Sequence, residues 1–294
     1  MLEGVQLENG GTLSVNAFGN LNLGGNHFGG NNVVANLAAL DLNGQSLTSA
    51  GGLTLNGTGI TSNAGALINS SATAVSYGGL LALGSASYIM ASAGAINLTN
   101  TGTITGATFG LTLDGTAGGS MASALGTTTG ALTKTGTGTW TLTGANTYTG
   151  STTINGGTLA IGGAGTLGGG SYAGAIINTA TFNYASSAAQ TLSGVISGTA
   201  GTLVDSGTGT LTLTGANTYT GTTTINAGSS LVVGSLSNTT AKLGTGAITD
   251  NGNLLISRSG NLALSGVISS ATATGGTGNI TLQATGTVTV DKTI

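Results

Sequence analysis

The sequence has no cysteine and no proline, one histidine, and few charges, with 4 Lys or Arg and 7 Asp or Glu in 294 residues. The missing cysteines exclude disulfides and thiolate metal sites together. The missing prolines, with Gly following no three-residue period, exclude a collagen helix. A charged fraction of 4 %, against roughly 25 % in ordinary soluble domains, argues against the usual helical or α/β enzyme. The basic residues Lys134, Lys242, Arg258 and Lys292 are scattered, so nothing resembles the clustered Lys and Arg that bind phosphate backbones, and no nucleic-acid partner is expected.

Long hydrophobic runs are missing too. The nearest, residues 78–96, is broken by Gly and Ser and reads as two short strands, not as a membrane span. The opening MLEGVQLENGG has neither a basic stretch nor an apolar core of signal-peptide kind. The expectation is a fragment of a longer protein.

Gly (57 residues) and Thr (54) dominate what is present. Gly costs up to ~1 kcal/mol relative to Ala in a helix interior and Thr and Ser rank low, so no window favours a helix. An apolar fraction of 39 % and a net charge of −3 still allow a core to form. Apolar residues alternate with Thr in short runs such as Thr139-Trp140-Thr141-Leu142, and alternation of period two describes a strand with one buried face.

Internal duplication organises the second half. Residues 136–155 recur as 207–226 with 18 of 20 positions identical at an offset of 71, and LSGVIS recurs at 192–197 and 264–269. An antiparallel sandwich has no reason to repeat itself this way, whereas a solenoid with rungs of about 20–25 residues fits three rungs into the period. The division expected is 1–129, divergent N-terminal rungs, and 130–294, with copies at 130–200 and 201–272 and a degenerate end.

Inward positions of the repeat are expected to be Trp140, Leu142 and Ile154 in the first copy and Leu211, Leu213 and Ile225 in the second. Asn146, Asn155, Asn217 and Asn226 are expected at turns, where stacked amides can form a ladder. Tyr148 and Tyr219 follow Asn-Thr and are expected to be half exposed.

The segments 130–162 (GALTKTGTGTWTLTGANTYTGSTTINGGTLAIG) and 201–234 resemble the autotransporter-associated β-strand repeat, also called the passenger-associated transport repeat. Residues 51–67 and 77–89 are similar to segments that accompany it. The resemblance implies a right-handed parallel β-helix passenger, at the outer-membrane surface of a Gram-negative bacterium or released from it. Its function would be that of an elongated stalk, filament or adhesin segment, able to associate end to end through the strand-like segment 286–290, which only Asp291 and Lys292 blunt. A glycan or protein on another surface is the expected target. The repeat is architectural and brings no catalytic residue.

No enzyme site is expected. Glycoside chemistry needs grouped carboxylates, and Asp41, Asp114, Asp205, Asp250 and Asp291 lie far apart in sequence, although stacking could bring Asp205 and Asp250 within two rungs. His27 reads as a turn residue, and Glu3 and Glu8 as solvated. The calcium nonapeptide and EF-hand loop are missing, so neither a metal nor another cofactor is expected. The alternatives retained are a carbohydrate-active β-helix enzyme and, remotely, an ice-binding solenoid using its Thr-x-Thr arrays.

Overall fold

The computed structural model describes residues 6–7, 12–14, 32–48, 51–61, 64–264, 268–269 and 278–290, and the two compact units are Met1–Gly150 with Asn155–Thr158, and Ser151–Ile154 with Leu159–Ile294. His27, Glu3, Glu8, Asp291 and Lys292 lie outside the described residues. Each unit is a parallel β-solenoid, and the only helical element among the described residues is a 3-10 turn at Gly168–Gly170.

In the first unit one ladder climbs from Gln6–Leu7 through Asn32–Val34, Leu53–Gly57 and Leu81–Ala91 to Leu111–Asp114 and Leu132–Lys134, every pair parallel. A second side stacks Val75–Tyr77, Ile96–Leu98, Gly118–Met121 and Thr139–Leu142. Leu81–Ala91 is one 11-residue strand, where two short strands were expected across this region. Its first part pairs with Leu53–Gly57 and its second part with Leu67–Asn69. Gly84 lies between the two parts, and a Cβ there would stand 2.2 Å from the Asn56 side-chain oxygen.

The described residues of the second unit form three longer ladders and a two-stranded pairing of Leu262–Leu264 with Val288–Val290. One stacks Thr152–Ile154, Ile176–Asn178 and Ile196–Ser197. Another stacks Thr181–Ser186, Thr202–Asp205, Thr223–Ile225, Ile248–Asp250 and Ile268–Ser269. The third stacks Ser171–Tyr172, Gln190–Leu192, Thr210–Leu213, Ser230–Ser235, Asn253–Arg258 and Asn279–Ala284.

Because strand neighbours are parallel and in register, alternation in sequence becomes columns in space. Leu192, Leu213, Val233 and Ile256 form one inward column, and Leu211, Leu231 and Leu254 form another, all at most 2 % exposed. Burying each such side chain contributes ~1.5–3 kcal/mol, which is how a chain with so few charges holds together.

Rung length varies more than expected. Registered partners are 20 residues apart in the tightest rung (Ile176 with Ile196) and 28 in a loose one (Leu53 with Leu81), the latter in the first unit. Next to Gly57 the Gly65 amide donates to the Thr58 carbonyl at 2.8 Å, and the register with the following strand shifts there from 28 residues (Leu55 with Leu83) to 30 (Gly57 with Ser87). Nor does the duplication comprise whole rungs. Three rungs of the second unit run from Phe182 through Leu203 and Thr223 to Ile248, 248 minus 182, or 66 residues, which is short of 71.

Candidate functional site

The repeat concentrates its polar chemistry in two places, the Asn-Thr-Tyr segment and the last residue of its first strand. In the first copy every second residue from Trp140 to Tyr148 is buried: Trp140, Leu142, Gly144, Asn146 and Tyr148. The second copy repeats this from Leu211 to Tyr219. Tyr148 and Tyr219 are both fully buried, which corrects the expected half exposure. The extended alternation continues past the glycine and carries the ring inward. Gly144 and Gly215 are required there by close approach, since a Cβ would meet the Ser123 carbonyl at 2.6 Å and the Gly194 carbonyl at 2.4 Å.

Asn146 and Asn217 supply hydrogen bonds on the side of the rung that has no strand of its own. Asn217 Oδ1 accepts from the Ile196 amide at 2.8 Å, and its Nδ2 donates to the Lys242 carbonyl at 2.8 Å, so one side chain links the rung before to the rung after. Asn146 Oδ1 accepts from the Leu125 amide at 2.9 Å and its Nδ2 donates to the Gly144 carbonyl at 2.9 Å. Each amide replaces backbone groups that would otherwise be buried unpaired, at ~1–3 kcal/mol apiece. Asn155 and Asn226 lie at exposed turns. There the backbone amide makes the link, donating to the Lys134 and Asp205 carbonyls at 2.8 Å.

The inward aliphatic positions Leu142, Ile154, Leu211, Leu213 and Ile225 are fully buried. Trp140 is buried as well and its Nε1 donates to the Asp114 carbonyl at 2.9 Å, satisfying the one polar atom of the indole.

Ionisable groups are few and mostly internal. Lys134 is fully buried, and its ammonium donates to the carbonyls of Thr135, Gly136 (3.0 Å) and Gly156 (3.1 Å). Burial lowers it to about 8, against an opposing pull from Asp114. Nothing in the sequence marks this lysine as internal except its place at the inward beat of the Leu132-Thr133-Lys134 alternation. Asp114 accepts from the Tyr88 hydroxyl and the Gly115 amide. Asp41 accepts from the Asn43 amide at 2.9 Å and the Ser70 hydroxyl at 2.6 Å.

Asp205 and Asp250 are both fully buried. Asp205 registers with Ile225 and Ile225 with Asp250, so the two carboxyls stand two rungs apart with an isoleucine between them. Among the described residues no three His, Cys, Asp or Glu side chains come together to hold a metal ion, and none of the helices is long and apolar enough to cross a membrane.

Outward rows are mostly uncharged, with Arg258 between Ser235 and Ala284 the exception on the third ladder of the second unit. The row Thr191, Thr212, Val232, Leu255, Thr281 on the third ladder of the second unit mixes three threonines with two aliphatic residues. A row on the second side of the first unit is polar, Ser76, Asn97, Ser120 and Thr141, with Ser120 donating to Asn97 at 2.8 Å.

Compared with known families, residues 132–161 and 203–233 match the model of the passenger-associated-transport-repeat. Both segments are similar to this repeat. Each match begins in the strand that ends at Lys134 or Asp205, passes through the buried Asn and Tyr, and closes in the strand containing Leu159 or Leu231. No curated protein and no solved structure matches the chain. With the β-solenoid of each unit, the repeats fit a structural protein of the autotransporter-passenger class, secreted or exposed at the surface.

Proposed function

We propose that this chain is a structural and interaction segment, an adhesin, stalk or filament part displayed at the outer-membrane surface of a Gram-negative bacterium. The observation that supports the reading best is the direction of its chemistry. Lys134, Asp205, Asp250, Tyr148 and Tyr219 are turned into the solenoids, where they can pack but cannot meet a substrate. What faces outward is Thr, Ser, Asn and scattered aliphatic residues, a surface suited to broad contact with a glycan or protein. The Val232 and Leu255 steps interrupt the threonine row of the second unit, which disfavours an ice-matching face.

Self-pairing at the strand edge belongs to the same proposal. Asn279–Ala284 and Val288–Val290 pair in the parallel sense of the interior rungs, and such an edge is a template for a further strand. Size-exclusion chromatography and electron microscopy over a range of concentrations test the self-pairing. A panel of glycans and host surface proteins tests adhesion. Concentration-dependent oligomers or saturable binding support the reading. A strict monomer that binds nothing on the panel and depolymerises a polysaccharide overturns it in favour of a carbohydrate-active enzyme.

A further inference from the structure

Two buried carboxyls remain without a structural explanation. In the second unit, Tyr184, Asp205, Ile225 and Asp250 occupy one inward column on successive rungs. Rungs lie about 4.8 Å apart, which places Asp205 about 10 Å from Asp250 across Ile225. Both aspartates are fully buried. Neither Asp205 oxygen has a hydrogen-bond partner, and Asp250 has one, the Gly252 amide at 2.9 Å to Oδ1, with Oδ2 unpaired.

Among the described residues no cation compensates them. The titratable group facing Asp205 from the strand below is Tyr184, whose hydroxyl donates to the Ala188 carbonyl. The strand Thr223–Ile225 between the two aspartates contributes none. The basic residues described in this unit are Lys242, which is exposed, and Arg258, which donates to the Thr239 carbonyl. The Ser206 and Gly207 amides, which follow Asp205 in the chain, both donate to the Tyr184 carbonyl, at 2.8 and 2.9 Å.

An unpaired carboxylate in such surroundings is far costlier than a carboxylic acid, which has one proton to donate and no net charge. We propose that the interior of the second unit is a proton-dependent core: it packs fully while Asp205 and Asp250 are protonated and loosens as they ionise, so the unit is held more tightly in mildly acidic than in neutral or alkaline surroundings. Burial raises both acids, Asp205 from 3.8 to about 7 with a smaller opposing pull from Gly207, and Asp250 in the same direction. The folded state therefore holds protons that the unfolded chain has lost between pH 3.8 and about 7, and over that window stability falls as pH rises. The repeat family accounts for the fold and not for this pair, since the first copy has Lys134 where the second has Asp205.

The test uses the whole chain and follows amide hydrogen exchange, corrected for intrinsic rates, in peptides covering 202–205, 223–225 and 248–250 at pH 5 and pH 8. Ionisation of Asp205 alone raises the opening equilibrium of these strands about a hundredfold, one factor of ten for each of the two units between pH 5 and about 7. Asp250 adds to it. Trp140 fluorescence in urea reports the first unit in the same samples and should not follow that trend. In the double variant Asp205→Asn and Asp250→Asn the pH response is expected to vanish. Equal opening at both pH values in the wild type, or a response that survives in the double variant, overturns the proposal. Should the variant fail to fold, carboxyl-carbon NMR titration of the wild type decides: midpoints near 4 for both aspartates overturn it, and a midpoint near 7 for Asp205 upholds it.

Discussion

The two copies of the repeat agree at 18 of 20 positions from Gly136 and Gly207 onward, yet two residues before that stretch one has Lys134 and the other Asp205. Both residues end the first strand of their copy, and both are fully buried. The first position is built for a donor, because three backbone carbonyls converge on the Lys134 ammonium. The second receives an acceptor and offers it no partner. The repeat thus specifies the shape of its inward positions more strictly than their charge. Where a charge enters, its protonation decides whether the rung is comfortable.

The largest test of this difference inverts the first copy. Lys134→Asp would face a carboxylate with the carbonyls of Thr135, Gly136 and Gly156 and is expected to cost about 3–5 kcal/mol at neutral pH, the scale for an uncompensated buried charge. Urea unfolding read by Trp140 fluorescence measures it. The variant should also reverse the pH response of the first unit. Lys134 is lowered to about 8 in the folded state from 10.5, so the unfolded chain binds the extra proton between those values and stability rises with pH there. An aspartate at this position would make stability fall with rising pH. A Lys134→Asp chain as stable as the wild type at pH 7 would mean the carbonyl cage has no energetic role.

Core truncation comes next in size and should not distinguish the copies. Leu142→Ala and Leu213→Ala each remove a fully buried side chain and are expected to cost ~2–5 kcal/mol, measured by chemical denaturation. A difference above about 2 kcal/mol between them would show that one unit relaxes into the cavity more readily than the other.

Much of this was legible in the sequence, because a solenoid writes its fold into local alternation. Trp140, Leu142, Leu211 and Leu213 sit on the inward beat, and the parallel registers place them in columns. Composition misleads where it competes with period. Asn-Thr-Tyr has the composition of a turn, yet the period of two runs unbroken to Tyr148 and Tyr219 and buries both rings. Lys134, Asp205 and Asp250 occupy the same beat at the ends of three- and four-residue strands, but charge suggests solvent, and only the fold shows them buried. The rung lengths were hidden because residues added between strands lengthen a rung without changing the alternation within them.

The smallest expected effect separates two kinds of asparagine that the sequence presents alike. Asn146 and Asn217 are buried and bond with both ends of the amide. Replacing either with Ala leaves the Leu125 or Ile196 amide unpaired inside the solenoid, at a cost of about 1–3 kcal/mol. Asn155 and Asn226 are exposed, and their links to the Lys134 and Asp205 carbonyls run through backbone amides that alanine keeps. Asn155→Ala and Asn226→Ala should therefore stay within about 0.5 kcal/mol of the wild type in urea midpoint experiments. If the exposed pair cost as much as the buried pair, an amide ladder at the turns would be carrying stability that the backbone geometry attributes to the main chain. If Asn217→Ala were neutral, the side of the rung without a strand would need another source of support than the side chain that bridges Ile196 and Lys242.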